Sequence, residues 1–155
     1  MAPFNPLRCY RIVAVHSGSC IQRTVQNGLI HGTEPTRENL DQLWRLRSID
    51  EQRVIVSACH SDWVITHHGM VGGPISLSPC EPTPSEWQVW TVASGLNDSY
   101  FLLTGHQLEF NGVGAPTCLA IPDRLRRSSN LVEWHVDPPE HDSHQRFQVH
   151  EDPHN

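Results

Sequence analysis

Lysine is absent: all 11 basic residues are arginine, and 17 acidic residues leave a net charge of −6. Phosphate backbones are held by Lys and Arg gathered on one face, and the one basic cluster here is Arg124, Arg126 and Arg127. A nucleic-acid partner is not expected. Charged residues of both signs make up only 18% of the chain, so the surface must rely on Ser, Thr, Asn, Gln and His. That balance suits a neutral, polar partner. No apolar stretch approaches the length of a membrane span, so membrane insertion is not expected either. The opening "MAPFNPLRCY" lacks a charged start followed by an apolar run. No signal peptide is expected, and the expected location is the cytoplasm. The five cysteines are an odd number without CxxC spacing. They are expected as reduced, half-buried small hydrophobes, with one disulfide left open.

Catalytic signatures are missing too. There is no HExxH, nucleophile elbow or phosphate loop. Cys59 and His60 are neighbours on a strand, which sends them to opposite faces and prevents a dyad. The run Asp137, His141, Asp142, His144 has the residue types of a chelator. It falls in a Pro-containing loop where mixed polar residues are usual. No catalytic residue, metal or cofactor is expected, and the chain is not read as an enzyme.

Helix signals are scarce; the best candidate, Glu34 to Leu46, carries Pro35 and has no sustained 3.6-residue stripe. What the chain does have is short alternating or β-branched runs: "YRIVAV" (10–15), "RVIVSA" (53–58), "DWVITH" (62–67), "PISLS" (74–78), "YFLLTG" (100–105) and "FQVH" (147–150). Turn residues punctuate them at short intervals, as in an all-β barrel or sandwich. The 155 residues are the size of one domain with a real core.

The chain also repeats itself. "DQLWRL" (41–46), "WQVWTV" (87–92) and "HQRFQV" (144–149) share a frame of Gln, any residue, aromatic. Strong strands open the units at residues 10, 53 and 100, and Ile30, Ile75 and Val132 precede the three glutamines by 12 or 13 residues. The repeats run about 9–52, 53–97 and 98–151, the third lengthened by an insertion within 111–130. One such unit cannot bury its own apolar face, so three must close around a common core. Trp44, Trp90 and Phe147 are its expected threefold rings, and each Gln is expected to tie a turn. Trp134, in the register of Leu77, is expected in or near the core. Trp87, three residues before Trp90, faces the other way.

A Gln-x-Trp box closing each of three units of about 45 residues resembles the ricin-B-like β-trefoils, and the short lysine-free chain is most similar to their mushroom members. The opening "YRIVAVHSGSCIQ" resembles their start, and the similarity spans about residues 9 to 150. The resemblance implies a β-trefoil and one of two activities on fungal members, glycan binding or protease inhibition. Ricin-like sites carry an Asp after the apolar pair of the second strand and an Asn or Asp before the box glutamine. Here these positions read Gln22 and Asp41 in unit one, Ile65 and Trp87 in unit two, and Glu109 and His144 in unit three, so no unit keeps the full set. Asp41, with Glu109 and the following Asn111, are the candidates from units one and three. Unit two offers an aromatic site instead: Trp63, His67, His68, Glu86 and Trp87 around the Gly-rich loop "HHGMVGG", similar to mushroom trefoils that bind glycans in one unit only. An aromatic face suits the apolar side of a sugar ring, and amide, carboxylate or imidazole groups suit its hydroxyls. The reading is a lectin for glycoprotein or glycolipid oligosaccharides in fungal defence, multivalent through three sites or a homodimer. The alternative is a protease inhibitor presenting loop 121–130, with its arginines, or loop 16–20.

Overall fold

The computed structural model describes residues 4–24, 28–59, 61–70, 72–110, 113–121, 131–137 and 143–154. Unit one contributes β1 (Tyr10–Ala14), β2 (Cys20–Arg23), β3 (Ile30–Thr33) and β4 (Trp44–Ser48). Unit two contributes β5 (Arg53–Ala58), β6 (Trp63–Thr66), β7 (Ser76–Pro79) and β8 (Trp90–Ser94). Unit three contributes β9 (Tyr100–Phe110), β10 (Val113–Ala120), β11 (Val132–His135) and β12 (Phe147–Glu151). The segment 34–46 forms one short 3-10 turn, Leu40–Gln42, and runs into β4. A second 3-10 turn, Glu86–Gln88, occupies the same place in unit two.

The first and fourth strands of the units pair in a ring, β1–β4–β5–β8–β9–β12 and back to β1. Closure removes the free edges that an open sheet would expose. The second and third strands form three hairpins, β2–β3, β6–β7 and β10–β11. Backbone bonds knit these hairpins around the axis: Ile75 N donates to Leu131 O at 3.0 Å, and Leu131 N donates to Ile30 O at 2.7 Å. This six-stranded barrel with a three-hairpin cap is the β-trefoil that the resemblance implies.

Trp44, Trp90 and Phe147 are all buried in one core. The two indoles also satisfy their N–H groups in the same way, Trp44 on Ile21 O and Trp90 on Ile65 O, each at 3.0 Å. Three expectations need correction. Leu131, not Val132, takes the third cap position and is fully buried, because the loop from β11 to the last box is one residue longer than in unit two. Counting back from the glutamine therefore slips the register by one, and a one-residue slip exchanges the faces of a strand. The residue matching Leu77 is Glu133, and Trp134 is 38% exposed rather than core.

The second correction concerns the insertion. Part of unit three's extra length lies before residue 111, in β9, which runs 11 residues against 5 for β1; β10, within the expected stretch, runs 8 against 4 for β2. The third concerns the cysteines. Trp44 pairs with Tyr10 on one side and Ala58 on the other, and the neighbouring Cys9 and Cys59 cluster with Leu43. The two form a disulfide across Cα atoms 6.2 Å apart, while Cys20, Cys80 and Cys118 stay free. Burial pushes the Cys20 thiol up to about 11. Among the described residues no helix is long and apolar enough to cross a membrane.

Candidate functional site

Each box glutamine is buried and closes the loop behind it. Gln42 accepts from Thr36 N at 2.8 Å and donates to Glu34 O at 2.9 Å. Gln88 accepts from Glu81 N at 3.1 Å and donates to Pro79 O at 2.8 Å. Gln145 accepts from Asp137 N at 2.8 Å. The glutamines are thus turn ties, and what varies is the residue in front of each.

In unit one that residue is Asp41, whose Oδ1 takes the Arg23 Nε at 2.9 Å. Around the pair, Gln22 Oε1 accepts from both Asn39 Nδ2 and Gln42 Nε2 at 3.1 Å. His31 Nδ1 meets Thr24 Oγ1 at 2.7 Å, and burial lowers the pKa of that imidazole. The cluster is polar, half-buried and largely occupied with itself. In unit three the residue is His144, buried, with Nε2 3.2 Å from Asp137 Oδ2.

Unit two is different. Trp87 sits in the middle of the 3-10 turn and is 37% exposed. Its carbonyl accepts from His67 N at 2.9 Å, and its ring meets the His67 imidazole edge to face, centroids 5.7 Å apart at 66°. The other side of that imidazole packs on Trp90, at 4.9 Å and 74°. His67 has no exposed surface. It stands two residues beyond the buried Ile65 on the extension of β6, so alternation sends it to the same side. It is therefore a support behind Trp87 and not a group that reaches a ligand, which corrects its expected role.

Of the other candidates, Glu86 is exposed on the same turn as Trp87. His68 is exposed and meets Ser76 Oγ through Nε2 at 2.7 Å. Trp63 is 47% exposed, but it opens β6, about 13 Å along the strand from His67. Asp41 belongs to unit one. The Glu109 side chain and Asn111 lie outside the described residues, as do loop residues 122–130 and the His141 and Asp142 of the possible chelating run. With the observed registers, the position after the apolar pair is Gln22 in β2, Thr66 in β6 and Ala120 in β10, rather than Ile65 and Glu109. Among the described residues no group of three or more His, Cys, Asp or Glu is placed to hold a metal.

The loop "HHGMVGG" exposes His68, Gly69, Met70 and Gly72 yet is tied down through its backbone. Gly72 N donates to Glu133 O at 2.7 Å and Glu133 N to Gly73 O at 3.1 Å, tying it to β11. Gly72 has φ of 78°, and a Cβ there would stand 3.5 Å from the Trp134 ring. Trp134 is thus an exposed ring laid against unit two's loop. The sequence held a signal for it in the distance from Gln145, masked by the added residue.

No protein-family model matches the chain, and no curated protein matches it. Solved structures do. A ricin B-like lectin from Macrolepiota procera, in complex with lactose, is 15% identical with a TM-score of 0.68, covering 92% of this chain and 94% of that one. The Rhizoctonia solani agglutinin is 11% identical at a TM-score of 0.69, with 97% of both chains covered. ThreeFoil, a designed 3-fold symmetric protein, is 15% identical at 0.69, covering 92% and 97%. At these identities the likeness is one of fold.

Proposed function

We propose that the protein is a carbohydrate-binding lectin that engages glycans non-covalently through unit two. The observation that carries this is the half-exposed indole of Trp87, braced from behind by a fully buried imidazole. A rigid aromatic face stacks against the apolar C–H face of a pyranose at little entropic cost. Glu86 beside it supplies carboxylate oxygens that accept from sugar hydroxyls. The fold supports the same reading, since the Macrolepiota procera neighbour is a lectin that holds lactose.

The inhibitor reading draws less support. Loop 16–20 is a tight turn in which Gly18 N bonds to Ala14 O and Ala14 N to Ser19 O, and Ser19 and Cys20 are buried. It offers little to insert into a protease cleft.

A glycan array probed with the labelled protein tests the proposal, alongside inhibition assays against trypsin and papain. Selective binding to a defined glycan set, with neither protease inhibited, supports the lectin. A flat array with tight inhibition of either protease replaces it by the inhibitor.

A further inference from the structure

The three units agree at most buried positions, and they part at the seam between units two and three. By strand register, His67 occupies the place of Arg23 and Ile121, and Glu133 the place of Gly32 and Leu77. His67 is 0% and Glu133 2% exposed, with His67 Nδ1 3.9 Å from Glu133 Oε1. An ionisable pair enclosed this way costs stability relative to apolar residues of similar volume, and Ile121 and Leu77 take those places singly at the other two seams, against Gly32 and Arg23. A buried ionisable pair found at one of the three equivalent seams breaks a local rule and points to a use.

We infer that His67 and Glu133 form a positioning pair that fixes the exposed indole of Trp87 for its ligand. This rests on the lectin reading and adds residues from a second unit to its site. Glu133 is held firmly from unit three. Its Oε2 accepts from Thr117 Oγ1 at 2.9 Å, Thr117 is hydrogen-bonded in turn to the Thr104 hydroxyl, and its backbone is tied to Gly72 and Gly73. The carboxylate faces the imidazole, which also meets Val89 O through Nε2 at 3.4 Å. Polar contacts on both sides set the ring plane, and that plane, wedged between Trp90 and Trp87, sets the tilt of the outer indole. A recognition group is only as well placed as the side chains behind it. The nearby ionisable groups on the same segments, His68 and Glu86, are exposed.

The test uses the residues of the sister units: the double variant His67→Ile, Glu133→Leu in the full chain. Its melting temperature should equal or exceed that of the unmodified protein. Biosynthetic labelling with 5-fluorotryptophan gives one ¹⁹F resonance for each of the five tryptophans, with Trp87 assigned through Trp87→Phe. The Trp87 resonance should shift and broaden in the double variant while that of Trp44 holds. Affinity for a glycan selected on the array should fall at least tenfold. An unchanged Trp87 resonance in the folded double variant overturns the inference, as does unchanged glycan affinity. Should the double variant fail to fold, Glu133→Gln keeps the shape and the contact to Thr117 while removing the charge, and an unmoved Trp87 resonance there overturns it equally. A protein that binds no glycan sinks the lectin reading alone, since the fluorine signals report on Trp87 without a ligand.

Discussion

Units one and two share an architecture and differ in the pair of side chains set at the box turn. Where unit one sets Arg23 against Asp41, unit two sets His67 against Trp87. The first pair is charged, half-exposed and satisfied internally. The second buries one partner completely and pushes the other into solvent. The same turn, tied by the same glutamine, thus presents either a neutralised polar patch or a braced aromatic face. The trefoil repeats its scaffold faithfully because the core demands it, while positions just outside the core are free to diverge.

The largest effects should come from breaking what the units have in common. Trp90→Ala removes a fully buried ring and its bond to Ile65 O, and should cost about 3–5 kcal/mol in urea denaturation. Trp44→Ala should cost a similar amount, since the two rings hold identical places; a difference of several kcal/mol between them would break the equivalence of the units. Next comes the link between units one and two. Opening the Cys9–Cys59 bridge, which closes a 50-residue separation, by Cys59→Ala should lower stability by up to about 4 kcal/mol on a loop-entropy basis. No other disulfide occurs among the described residues, so a reducing agent should destabilise the unmodified protein and leave Cys59→Ala unaffected.

Smaller effects separate the two pairs. The Arg23–Asp41 contact is about a third exposed, so Asp41→Ala should cost less than about 1 kcal/mol. A larger loss would mean that unit one depends on its polar cluster as unit two depends on its rings. The slightest change concerns pH. Burial lowers the pKa of His31, so the folded chain binds a proton there less readily than the unfolded one. Its stability is present above the usual imidazole value of about 6.5 and declines as pH falls below it. The matching position in unit two is Ser76, which does not titrate. His31→Ser should flatten the acid side of the stability profile, and an unaltered slope would remove His31 from that account.

Much of this scaffold is written locally. The glutamine boxes, the opening strands and the rings at 44, 90 and 147 recur at nearly fixed spacing, because each marks a turn or core contact that every unit must make. The rest depended on pairings across the barrel. The buried Leu131 and exposed Trp134 were exchanged with their neighbours by one added loop residue, and the long β9–β10 hairpin shifted the acid position from Glu109 to Ala120. The Cys9–Cys59 bridge needed knowledge that β1 and β5 both flank Trp44. Trp87 was legible as the outward ring of its pair. His67 is grouped with it in the sequence as a ligand contact. Alternation from Ile65 would have turned His67 inward.

Isothermal titration of the array-selected glycan into the unmodified protein, Trp87→Ala and Asp41→Ala tests the central claim most directly. The account predicts at least a tenfold loss of affinity for Trp87→Ala, with its melting temperature within a few degrees of the original, and unchanged affinity for Asp41→Ala. Full affinity in Trp87→Ala, or a loss confined to Asp41→Ala, would contradict it and move the binding site to unit one or elsewhere.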